Sequence, residues 1–311
     1  MTNERNIIEQ LTKRSHGFIG DDAAILPSVD PDQYVITKDL LIENRHFRTR
    51  YFSAQDLAHK ALHVNLSDLA AMGAKPLYIL CGIAAAKKHE TYAQNFLDAL
   101  LDSCQLAGVK LIGGDTVASE QSFCISITAI GSNKAFKLRN TADSGDWITV
   151  IGNLGWADVG LKALEHHTKV HDQYIKSFLR PQAKIKEGQW LARQTAVTSM
   201  MDISDGLYID LQSLCQMSNK GAVINLDWLS DYRCPGQSLS TMLEGGEDYG
   251  LLCTVQKAAF DDLKKAFSQH FGQTMKVVGW INDTSEVVLH KNGRHYDGLA
   301  LTPFTHFGEA P

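Results

Sequence analysis

Cysteine is sparse and dispersed in this chain. Its six cysteines (Cys81, Cys104, Cys124, Cys215, Cys234, Cys253) lie at least 19 residues apart, so no CxxC zinc or redox pair exists. They read as reduced, mostly buried thiols of a cytoplasmic protein. Long hydrophobic runs are missing too. The longest, Leu77 to Ala86 (LYILCGIAAA), is half of the ~20 residues a bilayer crossing requires. The first ten residues, MTNERNIIEQ, are charged where a signal peptide needs an apolar core. No block of like charge occurs, and 30 basic against 35 acidic residues give a net charge of −5. A general nucleic-acid binder or a binder of acidic membranes is thereby excluded. The common phosphate and hydrolase signatures are absent as well. There is no G-x-x-x-x-G-K-[ST] loop, no kinase H-R-D or D-F-G, no G-x-S-x-G and no H-E-x-x-H. GNLGWADVG has the wrong spacing for a dinucleotide fingerprint.

What is present is an ordinary globular composition, 44% apolar and 21% charged over 311 residues, which excludes wholesale disorder. That length suits two domains of roughly 150 residues. Strands and helices alternate. Tyr34 to Ile42 reads as a strand, and Ser53 as the cap of a helix running to Gly73. On that helix Leu57, Ala61, Val64, Leu69 and Met72 repeat at helical spacing and should face a core. Strands are expected at 77–85, 110–112 and 123–131, with a helix at 92–106 between the first two. The polar, turn-rich stretch 133–146 is the best domain boundary. Beyond it, strands and helices alternate again.

The position of the aspartates is more informative than their number. Asp39 interrupts an apolar strand, and Asp68 sits on the helix among Leu66, Leu69 and Ala70, on the same face as Asn65. Asp22 precedes an apolar run, Asp115 ends what reads as a turn in LIGGDT, and Asp202 and Asp205 bracket DISD before a helix. Glu247 and Asp248 follow two glycines in GGEDYG. Taken singly, an Asp before a helix is usually an N-cap, and GDT or SDG usually a turn; Asp39 and Asp68, embedded in apolar pattern, fit that bland reading less well. Ionised carboxylates seldom enter apolar segments unless paired or bound to metal, and hard cations such as Mg²⁺ bridge a few of them to phosphates. Glycine turns beside them would expose free N–H groups to a phosphate. The set points to Mg²⁺-dependent phosphate chemistry.

The series GDDAAIL, Asp39 with HF at 46–47, KALHVNLSDLAAMGAKP, LIGGDT, GDWITVIG, RP at 180–181, MDISDGL and GGEDYGLL closely resembles thiamine-monophosphate kinase. This family belongs to the aminoimidazole ribonucleotide synthetase superfamily. The resemblance implies ATP-dependent phosphorylation of thiamine monophosphate to thiamine diphosphate by direct in-line transfer, assisted by several Mg²⁺ ions. It implies an α/β (α+β) chain of two domains. Residues 1–138 would form a mixed-sheet, ATP- and Mg²⁺-binding domain that makes a β-barrel with its partner in a homodimer, and 139–311 an α/β domain. Carried over by motif, Asp39, Asp68 and Asp202 are the catalytic acids, and with Asp22, Asp115 and Asp205 they are the metal ligands. Thr37 and Lys38 match positions that also help to coordinate metal. Gly114, Asp115, Arg139 and Ser204 correspond to ATP contacts, and His46, Glu247 and Phe304 to substrate contacts.

Three departures are visible. Lys38 replaces the usual small hydroxyl residue, Asn44 stands where glycine is common, and Gly250 replaces an acid that often follows GEDY. Two other readings compete: a selenophosphate or aminoimidazole ribonucleotide synthetase, and a non-catalytic nucleotide or metal sensor. The first is weakened because no cysteine precedes Cys81; the second, because every core acid is retained.

Overall fold

The computed structural model describes residues 21–26, 33–234 and 237–301. Its first half is one five-stranded sheet with two long helices. In chain order these are β1 (Ala24–Leu26), β2 (Gln33–Ile42), α1 (Ala54–Ala71), β3 (Lys75–Ala85), α2 (Glu90–Ala107), β4 (Lys110–Ala118) and β5 (Cys124–Asn133). The strand order is β1-β2-β5-β3-β4, and only β3 and β4 run parallel. Alternation along β2 sets two faces. Val35, Thr37 and Leu41 are buried, whereas Lys38, Leu40 and Ile42 are exposed. The sheet is open, so among the described residues one chain closes no barrel.

Helix α1 starts as its sequence dictates. Ser53 is extended, and its hydroxyl accepts the Asp56 N–H at 3.1 Å. The helix ends before Gly73, whose φ of +67° and a Cβ position 2.3 Å from the Ala192 Cβ both require glycine. Leu57, Ala61, Val64, Leu69 and Met72 are all buried, as their spacing predicts. More of α1 is buried than one stripe, because it is wedged between halves: Leu57 and Leu66 pack in the first core, while Ala70 and Ala71 join Leu191 in another.

The second half holds β6 (Trp147–Ile151), α3 (Trp156–His166), α4 (Asp172–Leu179), α5 (Ile185–Ala192), β7 (Val197–Ile203), α6 (Leu207–Ser218), β8 (Gly221–Asn225), α7 (Leu226–Ser230), α8 (Leu239–Glu244), β9 (Gly250–Val255), α9 (Phe260–Phe271), β10 (Lys276–Asn282), β11 (Val287–Lys291) and β12 (Arg294–His295). Its seven strands are ordered β12-β11-β8-β10-β6-β9-β7. The chain thus has a mixed α/β fold of two units. Phe178 of α4 and Ala157 of α3 cross over to pack in the first unit's core. No described helix is long and apolar enough to cross a membrane.

The segment LIGGDT differs from its sequence reading. LIGGDT is not a turn: β4 runs on to Ala118, in parallel register with β3 from Tyr78↔Lys110 to Ala85↔Ala118. Gly114 serves that pairing, since a Cβ there would lie 1.7 Å from the Cys81 carbonyl oxygen.

Candidate active site

The seam between the units encloses a cavity of about 470 Å³. Helix α1 supplies Lys60, Val64 and Asp68 to it, four residues apart and therefore on one face. Strand β2 supplies Asp39, and the turn after β7 supplies Ser204 and Asp205. His46 and Glu247 line it as well.

At one end three acids converge. One carboxylate oxygen from each of Asp22, Asp68 and Asp202 lies within 4.8 Å of the others. Burial, and then the neighbouring carboxylates, push Asp68 and Asp202 well above the ordinary aspartate range. Burial raises Asp39 to about 6. Hydroxyl groups hold the cluster in place: Thr37 donates to Asp68 at 2.5 Å and Ser67 to Asp202 at 2.7 Å. The Asn65 side chain accepts the Asp39 N–H at 3.1 Å, tying α1 to β2. Such an oxygen-only set of crowded, buried acids suits a hard divalent cation such as Mg²⁺.

Arg139 is engaged with the same cluster. Its Nε and Nη2 donate to Asp22 at 3.0 and 2.6 Å, and its backbone N–H donates to Asp21 at 2.7 Å. The guanidinium therefore neutralises one acid and links the start of the described chain to the second unit.

Several N–H groups of the glycine turns already have partners within the protein. In the DISDG turn the N–H groups of Ser204, Asp205 and Gly206 all donate to one oxygen of buried Asp210, at 3.0, 3.1 and 3.2 Å. In GGEDYG, Glu247 N–H donates to Ser204 and Tyr249 N–H to Ile203. The Asp248 carboxylate caps α3 by accepting the N–H groups of Gly155 and Ala157. These turns place carboxylates, and the N–H groups of Ser204, Asp205, Gly206, Glu247 and Tyr249 are already used.

The structure brings together Asp22, Thr37, Asp39, Asp68, Asp202, Ser204, Asp205, His46 and Glu247 around the cavity and its acid end. Gly114 and Asp115 stand apart on exposed β4 and do not line it. Phe304 lies outside the described residues. Sequence reasoning passed over Lys60, Arg45, Arg48, Phe178 and Tyr249, all of which line the cavity. Lys60 and Tyr249 stood inside quoted motifs whose acids alone were weighed, and α4, carrying Phe178, was not expected.

The N-terminal domain of AIR synthase related proteins matches residues 20–132, and the C-terminal domain of those proteins matches 143–292. An Escherichia coli thiamine-monophosphate kinase is 36% identical over 303 residues, covering 91% of this chain and 91% of the relative. The chain belongs to the thiamine-monophosphate kinase family. Among solved structures, AaThiL complexed with AMPPCP and TMP superposes with a TM-score of 0.84 at 26% identity, over 98% of this chain and 97% of that one. Thiamine-monophosphate kinase from Stenotrophomonas maltophilia gives 0.76 at 28% identity, over 93% and 96%.

The three departures from the thiamine-monophosphate kinase pattern have local physical accounts. Asn44 has φ +66°, the left-handed conformation that glycine adopts freely and asparagine tolerates best among other residues. Lys38 projects to the sheet face opposite Thr37 and Asp39, where its ammonium donates to Ser126 at 2.5 Å and Thr128 at 3.4 Å. At Gly250 a Cβ would lie 2.7 Å from the Ile151 carbonyl oxygen, so a side chain there would press on β6.

Proposed function

We propose that this chain transfers the terminal phosphoryl group of ATP to thiamine monophosphate, giving thiamine diphosphate and ADP, by direct in-line transfer dependent on several Mg²⁺ ions. The observation that carries this reading is the convergence of Asp22, Asp68 and Asp202 at the wall of a cavity that Glu247 and His46 also line. Membership of the thiamine-monophosphate kinase family supports it.

Two polyanions must meet in this cavity. At 4 Å, two unit charges repel by about 4 kcal/mol at an effective dielectric near 20. Mg²⁺ bound by Asp22, Asp39, Asp68, Asp202 and Asp205, with Asp115, Thr37 and the backbone carbonyl of Lys38 assisting, would offset that repulsion and polarise the transferring phosphoryl. The chain's own task is alignment. Thr37, Ser67 and Arg139 fix the acids, and Asp210 fixes the backbone of Ser204 and Asp205. No strong base is needed, because a phosphate monoester with a second pKa near 6 is mostly dianionic at pH 7. Gly114, Asp115, Arg139 and Ser204 are assigned to ATP. His46, Glu247 and Phe304 are assigned to the acceptor, whose thiazolium ring suits an aromatic face and a carboxylate.

Residues 1–138 are taken as the ATP- and metal-binding unit and 139–311 as its companion. The working state is a homodimer. Leu40, Ile42 and Tyr78 are exposed on the first sheet, with Leu40 52% accessible, an apolar patch a second copy would cover to complete a barrel. Incubation with ATP, Mg²⁺ and thiamine monophosphate tests the reading. Thiamine diphosphate and ADP should form one to one; ADP without thiamine diphosphate, or no turnover by folded protein, refutes it.

A further inference from the structure

Helix α1 gives the cavity two poles. Asp68 marks the acid pole, and Lys60, eight residues earlier on the same face, marks the other, about 12 Å away at 1.5 Å per residue. Lys60 is unusual for a lysine: only 1% of its side chain is accessible. Its ammonium donates to Glu247 Oε2 at 3.0 Å and to the Phe178 carbonyl at 3.3 Å. It also lies 4.0 Å from the centre of the Phe178 ring and 5.3 Å from that of Phe52. A buried ammonium is costly unless paired, so this site is built around the Lys60–Glu247 contact.

Glu247 is constrained from its backbone as well. Its φ is +63° and that of Tyr249 is +49°, in the left-handed region that side chains disfavour. The strained turn is held by Glu247 N–H to Ser204 at 2.7 Å and Tyr249 N–H to Ile203 at 2.9 Å. Strain retained at a cavity wall marks a side chain whose direction matters.

We infer that Lys60 is the positioning residue of the acceptor pole. Reaching from the first unit to the second, it fixes the Glu247 carboxylate so that the acid meets the cationic, organic end of the acceptor while phosphoryl transfer proceeds at the acid pole. This rests on the assignment of Glu247 to the acceptor; Lys60 itself acts through Glu247 and leaves ATP untouched.

The test is steady-state kinetics with both substrates varied, on wild type, Glu247→Gln, Lys60→Met and the double variant, with thermal unfolding run alongside. Lys60→Met should raise KM for thiamine monophosphate about ten-fold, with kcat within about three-fold and KM for ATP unchanged. In the Glu247→Gln background it should add nothing further, because the two residues act as one unit. Lys60→Gln, which keeps a donor but no charge, should fall between wild type and Lys60→Met; it decides the matter in the same way if Lys60→Met does not fold. An unchanged KM for thiamine monophosphate, effects that multiply in the double variant, or a loss falling on ATP would each overturn the proposal. Glu247→Gln alone separates the two layers. If it raises that KM while the Lys60 variants do not, Lys60 has no such role and Glu247 keeps its own; if it changes nothing, the Glu247 assignment fails and the Lys60 proposal falls with it.

Discussion

Arg139 grips Asp22 through two near-parallel hydrogen bonds, Nε to Oδ2 at 3.0 Å and Nη2 to Oδ1 at 2.6 Å, with the Asp22 side chain fully buried. A bidentate pair of this kind holds a carboxylate in one orientation. It joins the segment before β1 to the start of the second unit, so it is structural and electrostatic at once. Removing the guanidinium leaves an unpaired charge under cover. Arg139→Ala should therefore lower stability by about 2–4 kcal/mol in denaturant unfolding. Arg139→Lys should recover only part of that, because an ammonium cannot make both bonds. An unchanged unfolding midpoint in Arg139→Ala would show that the pair contributes nothing.

Asn44 offers a sharper backbone test. Its positive φ predicts that Asn44→Gly keeps stability and activity close to wild type. Asn44→Val, β-branched and forced into the left-handed region, should lose about 1–2 kcal/mol. It should also raise KM for thiamine monophosphate, because His46 follows in the same turn and its Nδ1 accepts the Ile42 N–H at 3.0 Å. Equal behaviour of the Gly and Val variants would refute this.

Much of the frame was legible in the sequence. Ser53, the α1 stripe and the β2 alternation announce themselves through local rules, and Asp39 and Asp68 stood out as acids in apolar pattern. The polar stretch 133–146 also marked where one sheet gives way to the other. What stayed hidden depends on distant partners. LIGGDT reads as a turn because glycine and aspartate favour turns locally, yet parallel pairing with β3 extends it as a strand. The Arg139 pairing with Asp22 is not readable from either motif, because the two residues lie 117 positions apart. The free donors expected of DISDG are taken by Asp210, six residues beyond Ser204, and nothing in the spacing says that its side chain folds back. Lys60 looked like one lysine among many; its burial appears only when α4 and the GGEDYG turn close over it.

Buried titrating groups predict a pH signature. Burial raises Asp248 to about 7 from the ordinary 3.8, despite the Gly155 and Ala157 donors that oppose the shift. Between those values the folded chain keeps a proton that the unfolded chain releases, so this group's contribution to stability falls as pH rises from about 4 to 7. Asp248→Asn removes the dependence while keeping an acceptor for α3. Relative to wild type, its unfolding temperature should improve steadily from pH 5 to pH 7.5. His63 has the opposite sign. Pushed down to about 3 by burial, it costs stability as pH falls below 6.5. A wild-type-to-variant gap for Asp248→Asn that is constant, or that widens against the variant with rising pH, would contradict the assignment.

The central claim is that acids from separate segments gather to hold divalent cation between two negatively charged reactants. Turnover measured against Mg²⁺ concentration for wild type and Asp68→Asn tests it most directly. The variant should turn over at least about a hundred-fold more slowly and need more Mg²⁺ to reach half its maximum. Curves that superimpose in both height and midpoint would show that Asp68 holds no cation for the reaction.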